Sequence, residues 1–92
     1  MFNERLRNLR KSRGISQVEL AKCLGVTKQS VSNWENDNIQ PSIEMLVKIA
    51  MFFNVTSDYL LSIDDRKFIE VSGISDSAIE HIKLIINDIK QK

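Results

Sequence analysis

The chain has one cysteine and one histidine among its 92 residues. Cys23 has no second cysteine to join, which excludes an intramolecular disulfide framework and a cysteine-based zinc site. His81 stands alone, which excludes a multi-histidine metal centre. No stretch approaches the roughly eighteen apolar residues that a transmembrane helix requires. Met1-Phe2-Asn3-Glu4-Arg5 is not followed by an apolar run, so no signal peptide is expected and the cytoplasm is the expected compartment. There is no glycine-rich phosphate loop and no nucleophile beside a base. Asp64, Asp65, Asp76 and Asp88 form no spaced pair suited to hydrolysis or metal binding. The expectation is a protein that is not an enzyme and uses no metal or cofactor.

An apolar content of 42% is enough for a packed core, and a charged content of 27% with a single proline argues against general disorder. The length allows one small domain with an arm, not two full domains. The net charge of +1 is unevenly spread. Residues 1–38 carry seven Lys/Arg and four Asp/Glu, net +3, whereas residues 39–65 carry one Lys and four acids, net −3. Residues 66–92 return to +1. A basic N-terminal region on a balanced chain points to a local face for a polyanion.

Helical spacing runs through most of the chain. Asn3 is placed to cap a first helix with Leu6 and Leu9 on one face, which Gly14 ends. Ser16 and Glu19 form a capping box for a second helix with Leu20, Ala21 and Leu24 on its apolar face. Gly25 stops that helix, and Thr27 caps a third over about 28–36. Pro41-Ser42 opens a fourth, with Met45, Leu46, Ile49, Ala50 and Phe53 at helical spacing. Ser57 is placed to cap a short fifth over 58–62. Residues 63–73 read as a linker in which Phe68-Ile69-Glu70-Val71 is a candidate extended segment. Ser75 or Ser77 caps a last helix to about Lys90, with Ser77 and Glu80 as a second possible capping box.

Residues 16–36 carry the functional signal. Two short helices joined by Gly25-Val26-Thr27 match a helix-turn-helix. On the third helix Val31, Trp34 and Glu35 share one face, and Lys28, Gln29, Ser32 and Asn33 share the other. The second face has no aliphatic side chain and no carboxylate, and all four residues donate hydrogen bonds. Gln and Asn suit adenine, Lys suits guanine and Ser suits either at the edges of a major groove. A plain solvated face is the alternative, but such faces usually include Glu or Asp. Trp34 is expected in the core rather than stacked on bases. Glu35 points inward and needs a cation, and Arg10 is the partner that helical periodicity supplies.

Ser16-Gln17-Val18-Glu19-Leu20-Ala21, Gly25-Val26-Thr27 and Ser30-Val31-Ser32-Asn33-Trp34-Glu35-Asn36 together resemble the Cro/cI-type helix-turn-helix family of phage and bacterial repressors. Pro41-Ser42, Leu46, Ile49-Ala50 and Val55-Thr56-Ser57-Asp58-Tyr59-Leu60-Leu61 extend the match, which covers residues 3–62. The resemblance implies an all-α, five-helix lambda-repressor-like DNA-binding domain over 1–62, followed here by a linker (63–73) and a C-terminal helix (74–92). It implies binding of a palindromic operator as a homodimer with the third helix in the major groove. Lys28, Gln29, Ser32 and Asn33 fall at base-reading positions. Gln17, Thr27, Ser30 and Asn36 fall at phosphate-contacting positions, with Arg10 a further candidate, and Arg10–Glu35 matches the family's structural ion pair. Asp37 stands where the family often has glycine, which leaves Asn38 to take the left-handed turn.

The C-terminal arm adds Ile79, Ile82, Ile86 and Ile89 at intervals of three, four and three, with Ala78 and Ile85 widening the stripe. Two heptads do not sustain an isolated coiled coil, so the stripe packs either on its own domain or on the same helix of a second chain. Dimerisation is the favoured reading, and Phe68-Ile69-Glu70-Val71 is placed to join that interface. The leading function is a DNA-binding transcriptional regulator, expected to be a repressor. The alternative is an interaction module, such as an antitoxin or anti-repressor, that captures a protein partner through the arm.

Overall fold

Among the described residues, short side chains that accept a backbone N–H start five of the six helices. The computed structural model describes residues 1–91; Lys92, the end of the 74–92 arm, lies outside the described residues. The helices are α1 (Phe2–Ser12), α2 (Gln17–Leu24), α3 (Lys28–Glu35), α4 (Ile43–Phe53), α5 (Ser57–Leu60) and α6 (Asp76–Lys90). There is no strand among the described residues.

Ser16 and Glu19 close the expected capping box, each side chain bonding the other residue's backbone N–H at 3.0–3.1 Å. Thr27 and Ser42 cap α3 and α4 by the same hydroxyl-to-amide bond. Two starts differ from the sequence reading, and a third falls on one of its two candidates. Helix α1 begins one residue before Asn3, with Met1 at the cap position and no side-chain cap bond. Thr56, not Ser57, caps α5. Ser75 caps α6, which places Ser77 inside its first turn, so the Ser77–Glu80 box does not form, and Glu80 accepts from Lys83 at 2.9 Å.

The apolar faces of α1–α5 meet in one core. Leu6, Leu20, Leu24, Val31, Ile49 and Leu60 are removed from solvent, with Phe2, Ala21, Trp34, Ala50 and Phe53 packed around them. Each large side chain so buried contributes about 1.5–3 kcal/mol, which is how helices of eight residues, too short to persist alone, are held. Trp34 lies in this core as expected. Ile43, Val47 and Met51 form a second, exposed stripe on α4.

Leu61 to Ser75 is irregular. Phe68-Ile69-Glu70-Val71 is not a strand, because the chain offers it no second extended backbone to pair with. It runs instead beside α6 and forms an apolar groove with Ile79, Ile82 and Ile86. No residue of α6 is fully buried. Ile79 and Ile82 are half-buried, and Leu84, Ile85, Ile86 and Ile89 are exposed. The stripe is thus covered on one side by its own chain and open on the other.

Candidate nucleic-acid interface

The turn between α2 and α3 depends on Gly25. Its φ of +71° is left-handed, and the next amide, Val26 N–H, returns to the carbonyl of Ala21 at 2.9 Å. Lys48 Nζ reaches across from α4 to the Leu24 carbonyl at 2.7 Å and satisfies an acceptor at the end of α2. The N-terminus of α3 follows at once, capped by Thr27, whose hydroxyl also lies 3.0 Å from that of Ser30.

This turn presents the α3 face that the sequence marks. Lys28 and Gln29 are exposed, and Ser32 and Asn33 are partly so. Gln29 Nε2 donates to Asn33 Oδ1 at 3.1 Å, and Asn36 Nδ2 donates to Ser32 Oγ at 3.2 Å. Two neighbouring amides are therefore pre-oriented. Oε1 of Gln29 and Nδ2 of Asn33 have no hydrogen-bond partner among the described residues. Thr27 and Ser30 flank the face at one end and Asn36 at the other.

Glu35 anchors the opposite face. Arg10 Nε and Nη2 donate to its two carboxylate oxygens at 2.7 and 3.0 Å. Gln17 Nε2 donates to Oε1 at 3.1 Å. Burial pushes the carboxyl up, but the Arg10 and Gln17 hydrogen bonds and the charges of Arg10 and Arg7 outweigh it and hold Glu35 below the usual carboxylate range. The same pairing raises the Arg10 guanidinium. One buried carboxylate thus joins α1, α2 and α3.

Every guanidinium nitrogen of Arg10 is bonded within the protein. Its third nitrogen, Nη1, donates to the Ile15 carbonyl at 2.9 Å, and the side chain is only 12% exposed. Arg10 is thus turned into the protein. Arg7, one turn earlier on α1, is 39% exposed and bonds the Glu35 carbonyl and Asn36 Oδ1 at 2.8 and 3.3 Å. The sequence reading passed over Arg7, although its spacing of three residues from Arg10 could have marked it. The turn after α3 also departs from expectation. Asp37 itself adopts the left-handed conformation, at φ +59°, and its carboxylate accepts from Gln40 Nε2 at 2.8 Å. A short Asp tolerates this region better than most side chains.

Cys23 and His81 are both exposed. Among the described residues no group of three His, Cys, Asp or Glu side chains is placed to hold a metal ion, and no helix is long and apolar enough to cross a membrane.

The helix-turn-helix family model matches residues 6–60, more than half of the chain. The chain belongs to the Cro/cI-type helix-turn-helix family. Over 61 residues it is 43% identical to the HTH-type transcriptional activator BcrR of Enterococcus faecalis, a match covering 66% of this chain and 30% of that relative. Its fold is similar to that of the P22 c2 repressor, solved in complex with synthetic operator 9T (TM-score 0.66, 34% identity, 70% of this chain and 97% of the other). It is also similar to a chain of the SinR protein/SinI protein complex, at TM-score 0.63 and 25% identity, over the whole of both chains.

Proposed function

We propose that this helix-turn-helix chain is a sequence-specific DNA-binding transcriptional regulator, acting as a repressor, that binds a palindromic operator as a homodimer with α3 in the major groove. The observation that carries the reading is the exposed α3 face of Lys28, Gln29, Ser32 and Asn33, free of carboxylates and held by the Gly25 turn. Gln29 and Asn33 together offer one acceptor and one donor, the pair that adenine N6 and N7 require, and Lys28 suits guanine. Thr27, Ser30 and Asn36 supply phosphate contacts around that face, joined by Gln17 through the second hydrogen of the Nε2 that bonds Glu35 and by Arg7, which is more exposed than Arg10. Resemblance to the operator-bound P22 c2 repressor supports the docking mode.

The open side of α6 supports the dimer. Ile85, Ile86 and Ile89 would leave water on pairing with a second copy, while Ile79 and Ile82 already lean on the 68–74 segment. Similarity to the SinR/SinI complex favours a second reading of the same helix, in which α6 binds a different protein partner.

Selection of binding sites from a random DNA library tests the proposal. It predicts an inverted repeat with half-sites about one helical turn, roughly 34 Å, apart. Enrichment of a single half-site would contradict the dimer, and no enrichment at all would contradict sequence reading.

A further inference from the structure

Leu61 to Ser75 has the composition of a linker, but beyond the backbone bonds that tie residues 61–64 to α5, two side chains of the domain grip it. The first grip is Arg5. Its guanidinium stacks 4.0 Å from the centre of the Tyr59 ring, donates from Nη1 to the Tyr59 carbonyl at 2.7 Å, and pairs through Nη2 with Asp65. The second is Asn54, the residue that ends α4. Its φ of +54° is left-handed, a conformation Asn adopts more cheaply than other side chains. Its Oδ1 accepts from the Glu70 N–H at 2.9 Å, and its Nδ2 donates to the Glu70 carbonyl at 3.5 Å. One side-chain amide thus stands in for a neighbouring strand, bonding both backbone groups of a residue sixteen positions away. Asn54 also lines the groove that Phe68, Ile69 and Ile74 form with α6, so it sits where the domain, the linker and the last helix meet.

We propose that Asn54 is a positioning residue, assisted by the Arg5–Asp65 pair: by clasping Glu70 it makes residues 63–74 a fixed bracket that sets the orientation of α6 relative to α3. The inference rests on the proposed role of α6 in a DNA-bound dimer. Magnitudes show why a bracket matters. Residues 61–64 are bonded back to α5 by their own amides, so without the two side-chain anchors the stretch from Asp65 to Ser75 would behave as a coil with a root-mean-square span of roughly 18 Å. Adjacent base pairs are only about 3.4 Å apart, so a dimer joined through such tethers would accept half-sites at many separations. Fixing Glu70 leaves five residues, Val71 to Ser75, before α6 begins. Three of these are further constrained, since Ser72 N–H bonds the Glu70 carboxylate at 2.6 Å and Ile74 N–H bonds the Val71 carbonyl at 3.1 Å.

Asn54→Gly is the test, because glycine keeps the left-handed turn and removes only the clasp. Two measurements are made on the full chain: hydrogen exchange of the Glu70 amide, without DNA, and affinity across operators whose half-site separation is stepped one base pair at a time. The account predicts that Asn54→Gly exchanges the Glu70 amide as an unprotected one and flattens the dependence on separation. Asn54→Asp, which keeps the acceptor for Glu70 N–H, should restore protection and most of the dependence. A Glu70 amide as protected as in the wild type would overturn the clasp. Lost protection with an unchanged dependence on separation would overturn the positioning role. A wild-type chain that selects no operator would count against the proposed function, while the exchange result still decides the clasp. If Asn54→Gly fails to fold, Asp65→Ala, which removes the acceptor of Arg5 at an exposed anchor, is read on the same operator series: a flattened dependence supports the bracket and an unchanged one overturns it.

Discussion

Arg10 and Glu35 form a two-pronged bridge between α1 and α3, with Nε to Oε2 at 2.7 Å and Nη2 to Oε1 at 3.0 Å. Glu35 has no solvent exposure, and its second tie to Gln17 brings α2 into the same cluster. Glu35→Ala leaves a largely buried guanidinium and an amide without their acceptor. It should destabilise the fold by about 3–5 kcal/mol, the range for removing one partner of a buried pair. Urea unfolding reads this as a lower midpoint with an unchanged slope. A midpoint equal to that of the wild type would mean that the bridge does not hold the three helices.

The same bridge sets an acid limit. Because the folded Glu35 carboxyl titrates below its unfolded value of about 4.3, its contribution is fully present above that value and is lost as pH falls through the folded one. Glu35→Gln removes the charge and keeps an acceptor. The stability gap between wild type and Glu35→Gln should therefore be constant near neutrality and shrink on acidification below about pH 4. A gap that widens in acid would reverse the assigned direction of the shift.

The parts of this molecule governed by neighbours in sequence were legible in it. The Ser16–Glu19 box, the Gly25 turn, the Thr27 cap and the division of α3 into an inward and an outward face all depend on residues within one or two turns. Even Arg10–Glu35 followed from two helical periodicities. What was not legible depends on where distant segments land. Asn54 and Glu70 are sixteen residues apart, and nothing in either residue type announces the clasp. Phe68 to Val71 has strand-forming composition, but a strand needs a partner backbone, and a single side-chain amide fills that place. Residue type alone does not separate close neighbours of similar capping or turn preference: the cap or turn falls on Thr56 rather than Ser57, on Ser75 rather than Ser77, and on Asp37 rather than Asn38.

Gly25 offers a direct check on the turn. A Cβ there would meet only Lys48 Nζ, at 3.6 Å, so space is not the obstacle. The cost of Gly25→Ala is conformational, about 1–2 kcal/mol for a left-handed residue bearing a Cβ. Thermal unfolding followed by circular dichroism should show that loss with native helicity retained. No change in melting temperature would mean that the turn does not require positive φ.

The arm is tested by Ile82→Asp combined with Ile86→Asp. Both residues border the groove with the 68–74 segment, and Ile86 is also exposed. The double variant should sediment as a folded monomer, keep weak and salt-sensitive binding to random DNA, and lose operator affinity. A persistent dimer would place the interface elsewhere. An unfolded chain would show that α6 belongs to its own domain's packing.

Gln29 decides whether α3 reads sequence. Affinity of wild type and Gln29→Ala is measured on the selected operator and on random DNA at one salt concentration. The account predicts a loss of about 1–3 kcal/mol on the operator, relaxed preference at one base position, and nearly unchanged affinity for random DNA. Equal losses on both DNAs, or none on either, would contradict it.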